Sequence, residues 1–412
     1  MLTQTLYKGG SRREAPSIAM IRYGLFKGGS RQVMHSHAMP ILQKQTADGL
    51  EGIAEDELYR FTRYQWLYRE SEQLAMRYRK FNVLGLVDAS VRAAGKGAKA
   101  CVEIVKCIEG QYNKAFLMKM DNGEVVVARL PHPNAGPAFY TTASEVATRR
   151  LLRTVLKVSV PRILAYAANV DNPVGAEYII EEEAHAKHSS GDASGQFAWN
   201  PEKFAFGPLT EAKLWQGERA WSQISRGPWA SPSLYLEAMG ENEEYWSMNF
   251  AKAQILPYEA DERAMNGDSY EGLLQLYHEV IPPLAASGIP ASLSHPDLGL
   301  HNIFVDPKTR KITSFTGWQS ASVSKPFFHS RLPSMLVSAD RRYSDQQEAI
   351  AESENADIAT DLVDYYQIMS KVKTVSHWGF VNTQHRELLY DPASLITGAL
   401  SRNDVFPLKR AV

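Results

Sequence analysis

The sequence predicts an α+β protein of two lobes, a small antiparallel-sheet lobe followed by a larger, mostly helical one. Three observations predict it. Between Cys101 and Leu130, short β-branched and apolar runs alternate with tight-turn signals, as in a meander of antiparallel strands. Between residues 208 and 290, apolar residues recur at three- and four-residue steps, the period of packed helices. Between Ser294 and Trp318, a His295-Pro-Asp297 triplet puts Asp297 five residues ahead of Asn302 and is followed by a hairpin pattern.

Length and composition allow this. A chain of 412 residues, 44% hydrophobic and 22% charged, can bury two cores and has the balance of an ordinary globular protein. Its formal charge of −1 gives no overall pull toward nucleic acid or an anionic membrane surface. No apolar run approaches the ~20 residues of a membrane helix. Cys101 and Cys107, six apart in an expected strand, share one sheet face. A disulfide within one strand is geometrically poor and no zinc spacing exists, so both read as buried thiols of a reducing compartment.

In chain order, residues 1–50 come first, with weak periodicity and a near-repeat, LYKGGSR at 6–12 and LFKGGSR at 25–31. Residues 1–47 hold seven Lys or Arg against one acid, Glu14, a net of +6 that leaves −7 for the remainder. This reads either as a basic leader of the mitochondrial transit type or as a disordered leader with no targeting role. Glu55 to Phe81 turns helical in pattern, and Phe81–Ala94 continues as a helix into the small lobe. The small lobe runs to about residue 180. Cys101–Ile108, Ala115–Met120 and Glu124–Leu130 are expected strands, with a tight turn at Glu109–Asn113 and a hairpin turn at Asp121-Asn122-Gly123. Glu145–Lys157 is an expected helix, and Ile163–Ala168 and Glu177–Ile180 are further strands. Glu181–Glu183 marks the division between lobes, and 185–195 is a polar Gly- and Ser-rich loop. Helices are expected near 210–225, 232–255 and 268–287 in a lobe ending near 340, with more at 345–372 in a C-terminal extension.

The chemistry concentrates in the third observation. His-x-Asp-x-x-x-x-Asn is the spacing of a kinase catalytic loop, in which the Asp orients and deprotonates a hydroxyl and the Asn oxygen holds a metal ion on the phosphates. Upstream parts of a nucleotide site appear in the matching order. The turn at Gly110 presents backbone N–H groups. Arg129, near the end of the third strand, is a permanently charged fork suited to phosphate. Glu145, on the next helix, either answers the helix dipole or pairs with Arg129.

With these parts in order, the chain resembles the fungal phosphotransferase branch of the aminoglycoside phosphotransferase family, a kinase-like group. The resemblance runs through DELYRFTRYQWLY at 56–68, EGQYNKAFLMKMDNGEVVVARLPHP at 109–133, AGPAFYTTASEVAT at 135–148, GPWASP at 227–232 and SHPDLGLHNIFVDP at 294–307, covering roughly residues 55–340. It implies a kinase-like fold with ATP and magnesium between the lobes and a small-molecule hydroxyl as acceptor. Asp297 would be the catalytic base and Asn302 a magnesium ligand. Arg129 would bind phosphate, Glu145 would orient it, and Gly110, Gln111 and Asn113 would cover the nucleotide. Glu181 would lie at the hinge, where backbone groups meet the adenine edge. Two positions depart from the family pattern. Gly299 stands where a His usually follows the catalytic Asp, and Gly317 stands where a second metal-binding Asp precedes Trp318. The second departure predicts weak magnesium-dependent turnover, with nucleotide or small-molecule binding without phosphoryl transfer as the alternative.

Overall fold

The strands expected between Cys101 and Leu130 form the middle of a seven-stranded sheet. The computed structural model describes residues 5–6, 39–184, 204, 206–250, 267–284, 292–324 and 395–397. The loop at 185–195 and the helices expected at 345–372 lie outside them. In chain order the first elements are β1 (Thr5–Leu6), β2 (Ile41–Thr46), β3 (Gly49–Gly52), α1 (Glu70–Ala75), α2 (Val83–Ala94), β4 (Cys101–Lys106), β5 (Asn113–Met120) and β6 (Val125–Pro131). Then come α3 (Tyr140–Thr154), β7 (Ile163–Ala167), β8 (Tyr178–Glu182), β9 (Phe206–Gly207), α4 (Pro232–Phe250) and α5 (Gly267–Leu284). Residues 292–324 supply β10 (Ser292–Ser294), β11 (Ile303–Val305), β12 (Ile312–Phe315) and β13 (Ser322–Ser324).

The sheet order is β3-β2-β4-β5-β6-β8-β7, antiparallel throughout except where β2 runs parallel to β4. Thus β2 and part of β3 come from residues 1–50, read from sequence as a leader. The leader expectation gives way there, because Ile41–Lys44 pair with Glu103–Lys106 and Leu42 packs against the core. Alternation along β5 and β6 puts Phe116, Met118, Val126, Ala128 and Leu130 on one buried face. Helix α2 covers that face with Val83, Leu86, Val87 and Val91, and its start is capped by Asn82, which accepts from the Gly85 N–H at 3.1 Å.

Two stretches expected to be helical are mostly not. Residues 55–81 hold one helical turn, Glu55–Leu58, and the six-residue α1, while 210–225 holds only two short turns. In the first stretch, the carbonyls of Glu57 and Arg60 and the N–H of Thr62 are drawn instead to buried side chains of the sheet lobe. Tertiary partners override local periodicity.

The helical lobe is centred on α4 and α5, whose Leu236, Met239, Leu273, Leu274, Tyr277 and Ile281 form its core with Ile396. A third cluster, Leu152, Val160, Trp318 and Ala321, joins the end of α3 to the segment after β12. The Phe315 N–H also donates to Ser159 O at 2.9 Å. The result is a two-lobed α+β fold, a sheet lobe plus a mostly helical lobe. Both cysteines are free thiols, and burial pushes Cys101 up to about 11.

Candidate functional site

Arg129 lies on the sheet face opposite the α2 core, because it alternates with Ala128 and Leu130 along β6. Helix α3 approaches this face. It begins at Tyr140, five residues before the expected start, because Glu177 holds its first turn: the carboxylate accepts from Phe139 N–H at 3.0 Å and Thr142 Oγ1 at 2.7 Å. Glu145 therefore sits in the second turn, with Arg149 one turn further on. Arg129 is paired and hydrogen-bonded with Glu145, and its Nε is 3.2 Å from Glu181 Oε1. Arg149 lies 3.4 Å from Glu145, hydrogen-bonds Glu181, and donates to Pro161 O at 2.8 Å. Two cations and two anions, none more than 15% exposed, close a ring of zero net charge. Burial alone would depress the Arg129 pKa, but Glu145 and Glu181 together raise it above the ordinary arginine value. Glu181 thus enters the site through its carboxylate. Its strand position, opposite Val127 on one side and Ile163 on the other, puts its backbone inside the sheet.

The turn between β4 and β5 is held from beneath. Arg63 donates to Glu109 O at 3.0 Å, the His132 ring Nδ1 meets Gln111 O at 3.1 Å, and the His132 N–H donates to Tyr112 O at 2.8 Å. With the carbonyls engaged, the N–H groups of Gly110, Gln111 and Tyr112 donate to nothing among the described residues. Gly110, Gln111 and Tyr112 are exposed. The Asn113 side-chain amide reaches across to Gln319 Oε1 at 2.5 Å, and Gln319 Nε2 donates to Ala135 O at 3.2 Å. The turn and the segment after Trp318 are thereby tied together.

On the other wall, β10 pairs with β13 and β11 with β12, fixing the loop that carries Asp297. His295 Nε2 is 2.6 Å from Thr316 O, which can only accept, so Nε2 carries the hydrogen. Nδ1 then accepts from the Asp297 N–H at 3.1 Å. Burial lowers the His295 pKa, in keeping with this neutral tautomer, and the ring packs on Trp318 with centroids 4.5 Å apart. Asp297 is exposed. Its Oδ2 meets His301 Nε2 at 2.9 Å and Asn302 Nδ2 at 3.4 Å, while Oδ1 has no hydrogen-bond partner among the described residues. Gly299 supplies no imidazole, and His301, two residues later, reaches Asp297 in its place.

Asn302 donates to Asp297 O at 2.7 Å, and its Oδ1 accepts from Thr316 Oγ1 at 3.3 Å. That oxygen lies against Gly317. A Cβ on Gly317 would stand 2.6 Å from Asn302 Oδ1, and the Gly317 φ is +79°. Among the described residues, no group of three or more His, Cys, Asp or Glu is placed to hold a metal ion. This donor set does not fit a preformed magnesium site, which relies on carboxylates as well as phosphates.

The sequence-derived residues fall into three groups. Arg129, Glu145 and Glu181 meet in the charged ring, and Asp297 and Asn302 meet in the loop, with Gly110, Gln111 and Asn113 in the turn. Sequence reasoning missed Arg149 and the buried side chains under the turn. The four-residue step from Glu145 to Arg149 on one helix face was the available signal.

No family model matches the chain. A subtelomeric hrmA-associated cluster protein of Aspergillus fumigatus (strain CBS 144.89 / FGSC A1163 / CEA10) is 31% identical over 309 residues, or 57% of this chain. The mitochondrial altered inheritance of mitochondria protein 9 of Yarrowia lipolytica is 23% identical over 252 residues, or 44% of this chain. The chain spans 60% of the length of the first relative and 43% of the second. Among solved structures it is similar to an aminoglycoside-3'-phosphotransferase of type VIII, at 14% identity and TM-score 0.34 over 77% of this chain and 98% of that one. It is also similar to an ethanolamine kinase of Plasmodium vivax, at 11% identity and TM-score 0.38 over 73% and 76%.

Proposed function

We propose that the chain binds a nucleoside triphosphate between its lobes and transfers phosphoryl slowly to a small-molecule hydroxyl. The observation that carries this reading is the pairing of Arg129 with Glu145, together with a turn of exposed residues whose N–H groups have no partner among the described residues. The N–H groups of Gly110, Gln111 and Tyr112 and the remaining Arg129 donors would hold phosphate oxygens. Asp297 Oδ1 would take the proton of the acceptor hydroxyl as its oxygen bonds to the γ-phosphorus. The bond to the β–γ bridging oxygen breaks, and its electron pair leaves with the diphosphate. The described residues make no preformed magnesium site, so in this reading the phosphate charge is met by Arg129 and the turn N–H groups.

Gly317, with Asn302 packed against it, favours a second reading: nucleotide binding without transfer. One experiment covers both. The melting temperature of the full chain is measured with ATP, with and without magnesium, beside ATP consumption over a panel of small hydroxyl compounds. A rise with ATP that magnesium barely increases is expected, with slow consumption. Absence of any ATP-dependent shift would overturn both readings.

The basic, acid-poor residues 1–40 and the mitochondrial relative together support import into mitochondria over a cytoplasmic location. Tagged full-length chain that stays in the cytosol would defeat that proposal. Among the described residues, no helix is long and apolar enough to cross a membrane.

A further inference from the structure

Beneath the 109–113 turn lies a set of charges that no step of the proposed reaction uses. Lys106, Glu109, Lys114 and His132 are each at most 1% exposed. The Glu109 carboxylate accepts from Thr62 N–H at 2.7 Å and Lys114 Nζ at 2.5 Å, and lies 3.3 Å from Lys106 Nζ. Lys114 also donates to Arg60 O at 2.7 Å. Lys106 donates to Glu57 O at 2.8 Å, Arg60 O at 2.7 Å and Thr62 Oγ1 at 3.2 Å. His132 grips two successive carbonyls of the turn, one through its ring and one through its backbone.

Buried charge is a poor way to gain stability. Each ion costs several kcal/mol to desolvate, and apolar side chains of like volume usually serve as well. What such a network does supply is a single geometry. Here it begins at the first residue of the turn and resumes at Lys114, directly after the turn ends. It also holds two ammonium groups to one carboxylate, leaving positive charge under a loop of exposed residues whose N–H groups have no partner among the described residues. That is the sign a phosphate group takes.

We infer that Glu109, Lys114 and His132 are positioning residues, which lock the Gly110–Asn113 turn into an anion-accepting shape and charge it from below. This rests on the nucleotide reading above, which the experiment separates from it. The full chain, Glu109→Gln and Arg63→Ala are compared by amide exchange at Thr62 and His132 and by titration with a fluorescent ATP analogue without metal. Arg63 is exposed and, among the described residues, hydrogen-bonds the turn only at Glu109 O, so its variant folds even if the first does not. In Glu109→Gln, exchange at both amides should rise by at least about tenfold, and analogue affinity should fall about tenfold, the factor equal to 1.4 kcal/mol. Arg63→Ala should move both in the same direction by less. Unchanged exchange at His132 in both variants overturns the brace. Faster exchange with unchanged affinity, measured well below the melting temperature, overturns the positioning role and leaves a structural one. A natural chain that binds no analogue defeats the nucleotide reading, and the exchange result then decides the brace alone.

Discussion

At Gly317 two constraints coincide: a left-handed φ of +79° and the Asn302 side chain where a Cβ would go. Placing a carboxylate there with Gly317→Asp is therefore expected to cost about 1–3 kcal/mol in backbone strain alone. Its melting temperature should fall and magnesium-dependent ATP turnover should not rise; turnover well above that of the natural chain would show that Asn302 swings clear. Glu109 gives a pH prediction. Burial opposes its ionisation, but the His132 ring, Lys114 and Lys106 outweigh it and hold the carboxyl at about 2, below its ordinary 4.5. A depressed carboxyl contributes stability that is complete above about pH 4.5 and is lost as pH falls toward 2. Urea midpoints of the natural chain and of Glu109→Gln, taken from pH 6 downward, test this without any activity measurement. Natural protein should exceed Glu109→Gln by about 3 kcal/mol at pH 6, shrinking across that window. The titratable neighbours from the packed elements are Lys106 on β4, Lys114 on β5, His132 after β6 and Arg63. A constant difference down to pH 2.5 would mean that the carboxylate is not held ionised. Asp297 and Asn302 were legible at this scale because their spacing is local. Glu109 was not, since a charged residue opening a turn looks solvated until its partners from residues 57–62 are known.

At the scale of elements, the charged ring binds β6, α3 and β8 into one unit. Arg129 and Glu145 could be matched in advance by their order along the chain. The ring itself could not, because Glu181 arrives from a strand whose neighbours are set by sheet topology. The start of α3 escaped for a similar reason, its first turn being held by Glu177, far along the chain. The ring and a surface pair offer an internal comparison. Arg149 is buried between two carboxylates, whereas Arg162, 2.8 Å from Glu182, is 47% exposed. Arg149→Met strands Glu181 with fewer donors and should cost about 3–5 kcal/mol in chemical denaturation. Arg162→Met should cost no more than about 1 kcal/mol. Equal losses would mean that the ring is as solvated as the surface pair.

For the whole molecule, the division into a sheet lobe and a helical lobe was readable from the period of two between Cys101 and Leu130 and the period of 3.6 in α4 and α5, although the helical period of 55–81 and 210–225 misled. The edge of the sheet was not. ILQKQT at 41–46 is largely polar, and its parallel partner β4 begins some 55 residues later, a pairing no local pattern announces. Two truncations test the resulting boundary. A chain starting at Met39 loses, among the described residues, only the two-residue β1. A chain starting at Glu51 loses β2 and half of β3, leaving the N–H and C=O groups of β4 open along that edge. It also loses the Leu42 contact with the core and the Lys44–Glu57 pair at 3.2 Å. The shorter chain should melt lower by on the order of 5 °C and aggregate more readily, while the chain from Met39 stays near the full-length value. If both truncations melt together with the full chain, β2 contributes nothing to the lobe and the fold begins after residue 50.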